Sequence, residues 1–181
     1  MLLADWQIKD RIASGDLKIS PFDPARVQPA SVDLLLDHYL RVPRTPGVEI
    51  DVKAVLAGHT TMAEIDEDGW LMKPGDFVLA STMERVVLPP DLAARVEGKS
   101  SLGRLGLAIH VTAGFIDPGF AGQITLEIAN FSPWPIRLRQ QMPVAQLCLI
   151  PMSAAPQRPY GRAGNHYQDQ YGPVESRYEL R

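Results

Sequence analysis

The clearest pattern in the chain is the alternation in SVDLLLDHYLRV, residues 31–42, where Val32, Leu34, Leu36, Leu40 and Val42 fall on even positions. A period of two is that of a strand with one buried face. QITLEIAN repeats it: Ile124, Leu126 and Ile128 alternate with Gln123, Thr125, Glu127 and Ala129, so Glu127 and Thr125 share the face turned from the core. MPVAQLCLI is apolar on nearly both faces and predicts a buried strand. KPGDFVLAS predicts a turn feeding a strand, and ERVVLPP a further short one. The exception is DWQIKDRIASGD, where Ile8 and Ile12 are four apart, Asp5 offers an N-cap and Gly15 a stop, predicting a short amphipathic helix. Prolines, glycines and threonines between about residues 43 and 62 predict a loop.

Composition sharpens this. The 181 residues are 45% hydrophobic, enough for one core and short for two, and 16 prolines with 14 glycines spread along the chain favour many strands over long helices. From Ser153 onward the aliphatics all but vanish, so the expected organisation is one β-rich domain, 1–152, followed by a C-terminal arm, 153–181. Such a segment cannot build a core of its own; it stays disordered or orders against a ligand or a neighbour. A net charge of −3 provides no general attraction to nucleic acid. The start MLLADWQIKD lacks a leader pattern and no run is long enough to span a membrane, so a soluble, cytoplasmic protein is expected.

Candidate chemistry is narrowed by what the residues cannot do. GKSS at 98–101 resembles the end of a phosphate loop, but the first glycine of that pattern falls on Ala93 and SLGRLGLAIH is a poor helix. Lys99, Ser100, Ser101 and Arg104 still supply charge, hydroxyls and N–H groups for an anion. Zinc-dependent nucleobase deamination needs P-C-x-x-C, which one cysteine cannot form; Cys148 itself is expected to be a small core residue. His38, His59, His110 and His166 lack ligand spacing, and no nucleophile elbow is present. Carboxylates remain. A strand-face glutamate is ordinarily solvated, but Glu127 follows a small-residue turn at Ala113–Gly114 and a second carboxylate, Asp117.

GKSSLGRLGL followed by HVTAGFIDPGFAGQITLEIAN closely resembles dCTP deaminase, of the trimeric dUTPase-like superfamily. QPASVDLLL, KPGDFVLAST, QLCLI and RPYGRAGNHYQDQYGP extend the likeness over residues 1–178. The resemblance implies a distorted β-barrel or jelly-roll-like subunit, a homotrimer with sites at subunit interfaces, and zinc-free hydrolytic deamination of dCTP with Mg2+ on the triphosphate. It assigns Glu127 as the proton carrier, with Ser100 and Arg104 holding water and carboxylate. It assigns Asp117 to the sugar 3'-hydroxyl, Phe120 to the sugar's 2' side, and Thr125, Leu126 and Gln146 to the nucleotide. Tyr160 and Gln170 match phosphate contacts in the arm, and Lys99 and Ser101 join the substrate-binding set. His166 stands where a lysine is usual, implying weaker or pH-dependent phosphate contact, and QQMP replaces the usual Pro-Gly-Met turn.

Relatives of this kind stop at dUTP or continue to dUMP and diphosphate. AGFID resembles the dUTPase loop, and Gly114–Phe115 stands where deaminases that stop at dUTP carry a larger basic pair, so the dUMP-forming type is expected, with dTTP as a feedback inhibitor. The alternatives are a deaminase stopping at dUTP, a plain dUTPase and a non-catalytic nucleotide-binding trimer.

Overall fold

The computed structural model describes residues 1–44, 49–52, 58–162 and 165–178. In chain order these form helix α1 (Asp5–Ala13), strand β1 (Lys18–Ser20), a 3-10 turn (Pro24–Arg26), β2 (Val27–Gln28), β3 (Ser31–Pro43), β4 (Thr60–Glu64), β5 (Trp70–Met72), β6 (Phe77–Val87) and β7 (Leu92–Gly98). Helix α2 (Ser100–Gly103), β8 (Leu107–Ala108), β9 (Phe115–Ile116), β10 (Ala121–Asn130), β11 (Ile136–Leu138) and β12 (Pro143–Pro151) follow. Among the described residues, one curled antiparallel sheet runs β8-β10-β6-β3-β12-β7-β9, with β1 on β6 and β2 and β4 on β3; β5 and β11 pair separately. The mainly β class expected from the alternation is the one observed.

The alternating residues fill the interior. Leu34, Leu36, Leu40, Leu126 and Ile128 have no exposed surface and pack with Leu147 and Leu149 of β12 in one core. Burying each such side chain is worth about 1.5–3 kcal/mol. Pairing of β3 with β6 shifts register between Leu36 and Leu40, and β10 carries an irregularity between Gln123 and Thr125. That bulge turns Gln123 inward, where it is 4% exposed rather than on the open face with Glu127.

Several expectations are corrected. The helix is capped by Ala4, not Asp5: Asp5 is its first residue, and the Gln7 Oε1 accepts the Ala4 N–H at 3.0 Å. KPGDFVLAS and ERVVLPP feed one continuous strand, β6, not two. The threonines at 60 and 61 begin β4 instead of ending a loop, while residues 45–48 and 53–57 of that loop lie outside the described residues. Cys148 is only partly buried, on the face of β12 opposite Leu147 and Leu149; burial, with Glu97 nearby, pushes its thiol pKa up. After Lys99 the chain does form a helix, though of one turn only. The QQMP turn is accommodated by Gln141 adopting a left-handed backbone, φ 58°, while its N–H donates to the Leu36 carbonyl at 2.9 Å.

A buried ion pair ties β6 to the 3-10 turn. Glu84, 1% exposed, accepts from the Arg26 guanidinium and, at 3.0 Å, from the Leu35 N–H. Desolvation nonetheless outweighs these bonds and raises the Glu84 pKa.

Candidate functional site

The open face of β10 looks into a cavity of about 720 Å³. Thr125 and Glu127 project from its floor beside Phe77 and Leu79 of the neighbouring β6, with Val96, Ala113, Phe115, Ile116 and Asp117 on one side. Glu127 is fixed through one oxygen: the backbone N–H and hydroxyl of Thr112 donate to Oε2 at 3.1 and 3.3 Å. Oε1 is left for a ligand's proton. Asp117, exposed at the rim, begins the Pro-Gly turn, and its carbonyl accepts the Phe120 N–H at 3.2 Å.

That turn receives the arm. Gly119 has φ +89°, and a Cβ there would meet the Tyr160 carbonyl at 2.9 Å, so only glycine allows the approach. The Tyr160 N–H donates to the Pro118 carbonyl at 2.8 Å, and its ring meets Phe120 edge-on with centroids 5.8 Å apart. Burial raises the Tyr160 pKa against the Tyr167 N–H bond to its oxygen. The arm then runs beside β10: Asp169 N–H donates to Ala121 O at 2.7 Å, Gln123 N–H to Gln170 O at 3.1 Å, and Gly172 N–H to the Gln123 side chain at 2.6 Å. The described arm residues are thus ordered against the same chain that carries Glu127.

The candidates divide into two groups. Glu127, Asp117, Phe115, Phe120, Thr125, Tyr160 and Gln170 all line the cavity. Leu126 points the other way into the core, so only its backbone faces a ligand. Ser100, Ser101 and Arg104 are exposed on α2 and its cap, away from the lining. Near them Lys99 pairs with Asp33 at 2.6 Å, and Gln146 accepts from Ser31 at 3.4 Å. His166 does not line the cavity; its carbonyl accepts from Arg177. The Gln170 amide nitrogen is already committed to the Gln123 carbonyl at 2.6 Å.

Gly114 has a backbone reason to be glycine. Its carbonyl accepts the Val96 N–H at 2.8 Å, and a Cβ would sit 2.8 Å from the Val96 carbonyl oxygen. This contact seats the turn against β7, with Ala113 and Phe115 both on the cavity. The sequence reading missed Arg44, His59, Thr60, His110, Tyr167 and Ser176, which also line it. His110 opens the block HVTAGFIDPGFAGQITLEIAN and was detectable; Thr60 and Ser176 reach the cavity only through folding, and no local pattern marks them. Among the described residues, no group of three His, Cys, Asp or Glu is placed to hold a metal ion, and no helix is long and apolar enough to cross a membrane.

Fold and site together define a mainly β module whose cavity, partly closed by its own arm, presents an oriented carboxylate, a second carboxylate and aromatic walls. The chain belongs to the dCTP deaminase-like family, whose model matches residues 2–152. It is 51% identical to a Corynebacterium kroppenstedtii protein named dCTP deaminase, dUMP-forming, over 98% of this chain and 97% of that one. A Streptomyces coelicolor protein of the same name is 50% identical, over 98% and 95%. Among solved structures, 2'-deoxycytidine 5'-triphosphate deaminase from Agrobacterium tumefaciens superposes with TM-score 0.64 at 26% identity, covering 82% of this chain. The match spans about half of that longer protein, 47%. EIAV dUTPase, 19% identical with TM-score 0.51 over 82% of this chain and 98% of its own, shares the fold.

Proposed function

We propose that this protein hydrolyses dCTP to dUTP and ammonia and carries the nucleotide on to dUMP and diphosphate. The observation that carries the reading is Glu127 in the cavity, one oxygen pinned by Thr112 and the other free. A water attacking C4 of cytosine gives one proton to Glu127, which passes it to ring N3; the proton of the new C4 hydroxyl then moves through Glu127 to the departing amine, so that ammonia leaves and the C4 carbonyl forms. Asp117 accepts the sugar hydroxyl, Phe120 walls the sugar, Tyr160 of the arm meets the phosphates, and Thr125 meets the base. For dUMP formation a second water attacks the α-phosphate, the bond from that phosphorus to the bridging oxygen breaks and diphosphate leaves; the small Gly114 turn leaves room for this water.

Ser100 and Arg104 complete the site from a second copy of the chain, in a homotrimer. The support is their position: exposed, and outside the lining to which Glu127 belongs. Mg2+ supplies charge neutralisation on the triphosphate. Magnesium at such sites is held chiefly through phosphate oxygens and water, which suits a cavity with Asp117 and Glu127 as its carboxylates. dTTP shares the sugar and triphosphate of the substrate and lacks the amine that leaves, so it acts as an inhibitor; a rate on dCTP unaffected by rising dTTP would exclude this.

Glu127→Gln tests the assignment. It keeps an acceptor for Thr112 while removing the base, so ammonia release falls about 10²- to 10⁴-fold with dCTP binding retained. Undiminished ammonia release would reject Glu127 as the proton carrier and favour a binding module.

A further inference from the structure

The arm is secured in two different ways. Along the start of β10 it is zipped by backbone and amide bonds through Asp169, Gln170 and Gly172. Beyond Pro173 it leaves that strand, and the Val174 N–H reaches only the Thr125 hydroxyl, at 3.3 Å. The next residue turns to β3 and β4, further along the same sheet. Glu175 accepts from the Thr60 N–H at 2.9 Å, from the Thr60 hydroxyl, and from the Gly58 N–H at 3.2 Å. Its carboxylate also lies 3.5 Å from the Arg41 guanidinium, with the side chain 18% exposed. Arg41 closes the circuit, donating to the Pro173 carbonyl at 2.8 Å and to the Thr60 hydroxyl at 3.2 Å.

These bonds tie the arm, already joined to β10, to β3 and β4, two and three strands along the sheet. Thr60 on β4 lines the cavity, as do Val174 and Ser176, the arm residues flanking Glu175. Glu175 itself is not part of the lining. It concentrates one ion pair and three hydrogen bonds to a carboxylate, about twice as strong each as neutral ones, at the point where the zip along β10 has ended.

Resting on the deaminase reading above, we propose that Glu175 is a positioning residue: it latches the arm to β4 and so sets the fraction of molecules whose nucleotide site is closed. The latch touches neither the reacting atoms nor the proposed base. Loosening it lowers the closed fraction, and apparent affinity falls in the same proportion. The chemical step in molecules that do close is unchanged.

The test is Glu175→Gln, equal in size and without the charge, with Glu175→Asp, which keeps charge but shortens the reach, as a graded second variant. Amide exchange and dCTP kinetics are measured on the full-length protein. For Glu175→Gln the Thr60 and Val174 amides exchange at least tenfold faster, amides of Gly172, β10 and β12 keep their protection, KM for dCTP rises about tenfold and kcat stays within threefold; Glu175→Asp falls between. Arm exchange as in the parent overturns the latch, and so does a fall in kcat with KM unchanged. A parent protein without dCTP turnover would reject the deaminase reading, while the exchange rates would still decide whether Glu175 holds the arm.

Discussion

Replacing Gly114 by alanine tests whether the turn before Asp117 is shaped by its contact with β7. The new Cβ would lie 2.8 Å from the Val96 carbonyl oxygen, where ordinary contact begins at 3.4 Å, so turn and strand must part by roughly half an ångström. The hydrogen bond from the Val96 N–H, 2.8 Å in the native turn, stretches with them. Overpacking of this kind costs about 1–3 kcal/mol, within which the strained bond contributes some 0.5–1.5 kcal/mol. In a chain of this length that lowers the midpoint of thermal unfolding by roughly 2–12 °C. Ala113 and Phe115 move with the turn, so kcat/KM for dCTP falls about tenfold, less than the hundredfold expected of a full ångström. Thermal unfolding followed by circular dichroism and steady-state ammonia release measure the two effects. Phe115→Leu, at a side chain 55% exposed, serves as the control with an unchanged midpoint. A Gly114→Ala protein that melts within 1 °C of the parent and turns over dCTP equally well would refute the reasoning.

Other outcomes follow from the charged groups. Arg26→Ala strands Glu84 in the interior and costs about 3–5 kcal/mol; because burial already raises the Glu84 pKa, the loss is larger at pH 7.5 than at pH 5, as denaturant titrations at both will read. Burial alone would raise the Glu175 pKa, but the Thr60 and Gly58 donors, with His59 nearby, hold it at about 2 against the usual 4.5. Its contribution is therefore present above about pH 4.5 and lost as pH falls toward 2, so arm exchange rates, corrected for intrinsic chemistry, stay flat from pH 7 to 5 and rise in acid; a rise already complete at pH 5 would contradict this. Inactive Glu127→Gln and Arg104→Ala chains, co-refolded in equal amounts, recover about a quarter of parental activity if each site combines Glu127 of one subunit with Arg104 of its neighbour. No recovery would place both residues in one subunit or rule out the assembly.

What the chain reveals without its structure follows the range of the interactions involved. Period-two alternation located Glu127 and Thr125 opposite Leu126 because strand faces are set locally. The same rule failed for Gln123, since the bulge after it is imposed by pairing with β6. The lack of aliphatics after Ser153 marked the arm, but not where it goes. Its course depends on Gly119, whose missing side chain admits Tyr160, and on Glu175 meeting Thr60, 115 residues away. Glu84 read as an ordinary strand residue because its partner Arg26 is 58 positions distant. Long-range polar pairs leave no local pattern, and they supply much of what closes this cavity.

The central claim is that one cavity removes the amine of dCTP and then cleaves the nucleotide to its monophosphate. It is tested most directly by separating the nucleotides formed from dCTP and Mg2+ over time, with Glu127→Gln alongside. The parent yields dUMP, diphosphate and ammonia in equal amounts, and the variant yields none of them at a comparable rate. Accumulation of dUTP as the final product would contradict the second step, and dCTP left intact while added dUTP is hydrolysed would contradict the first.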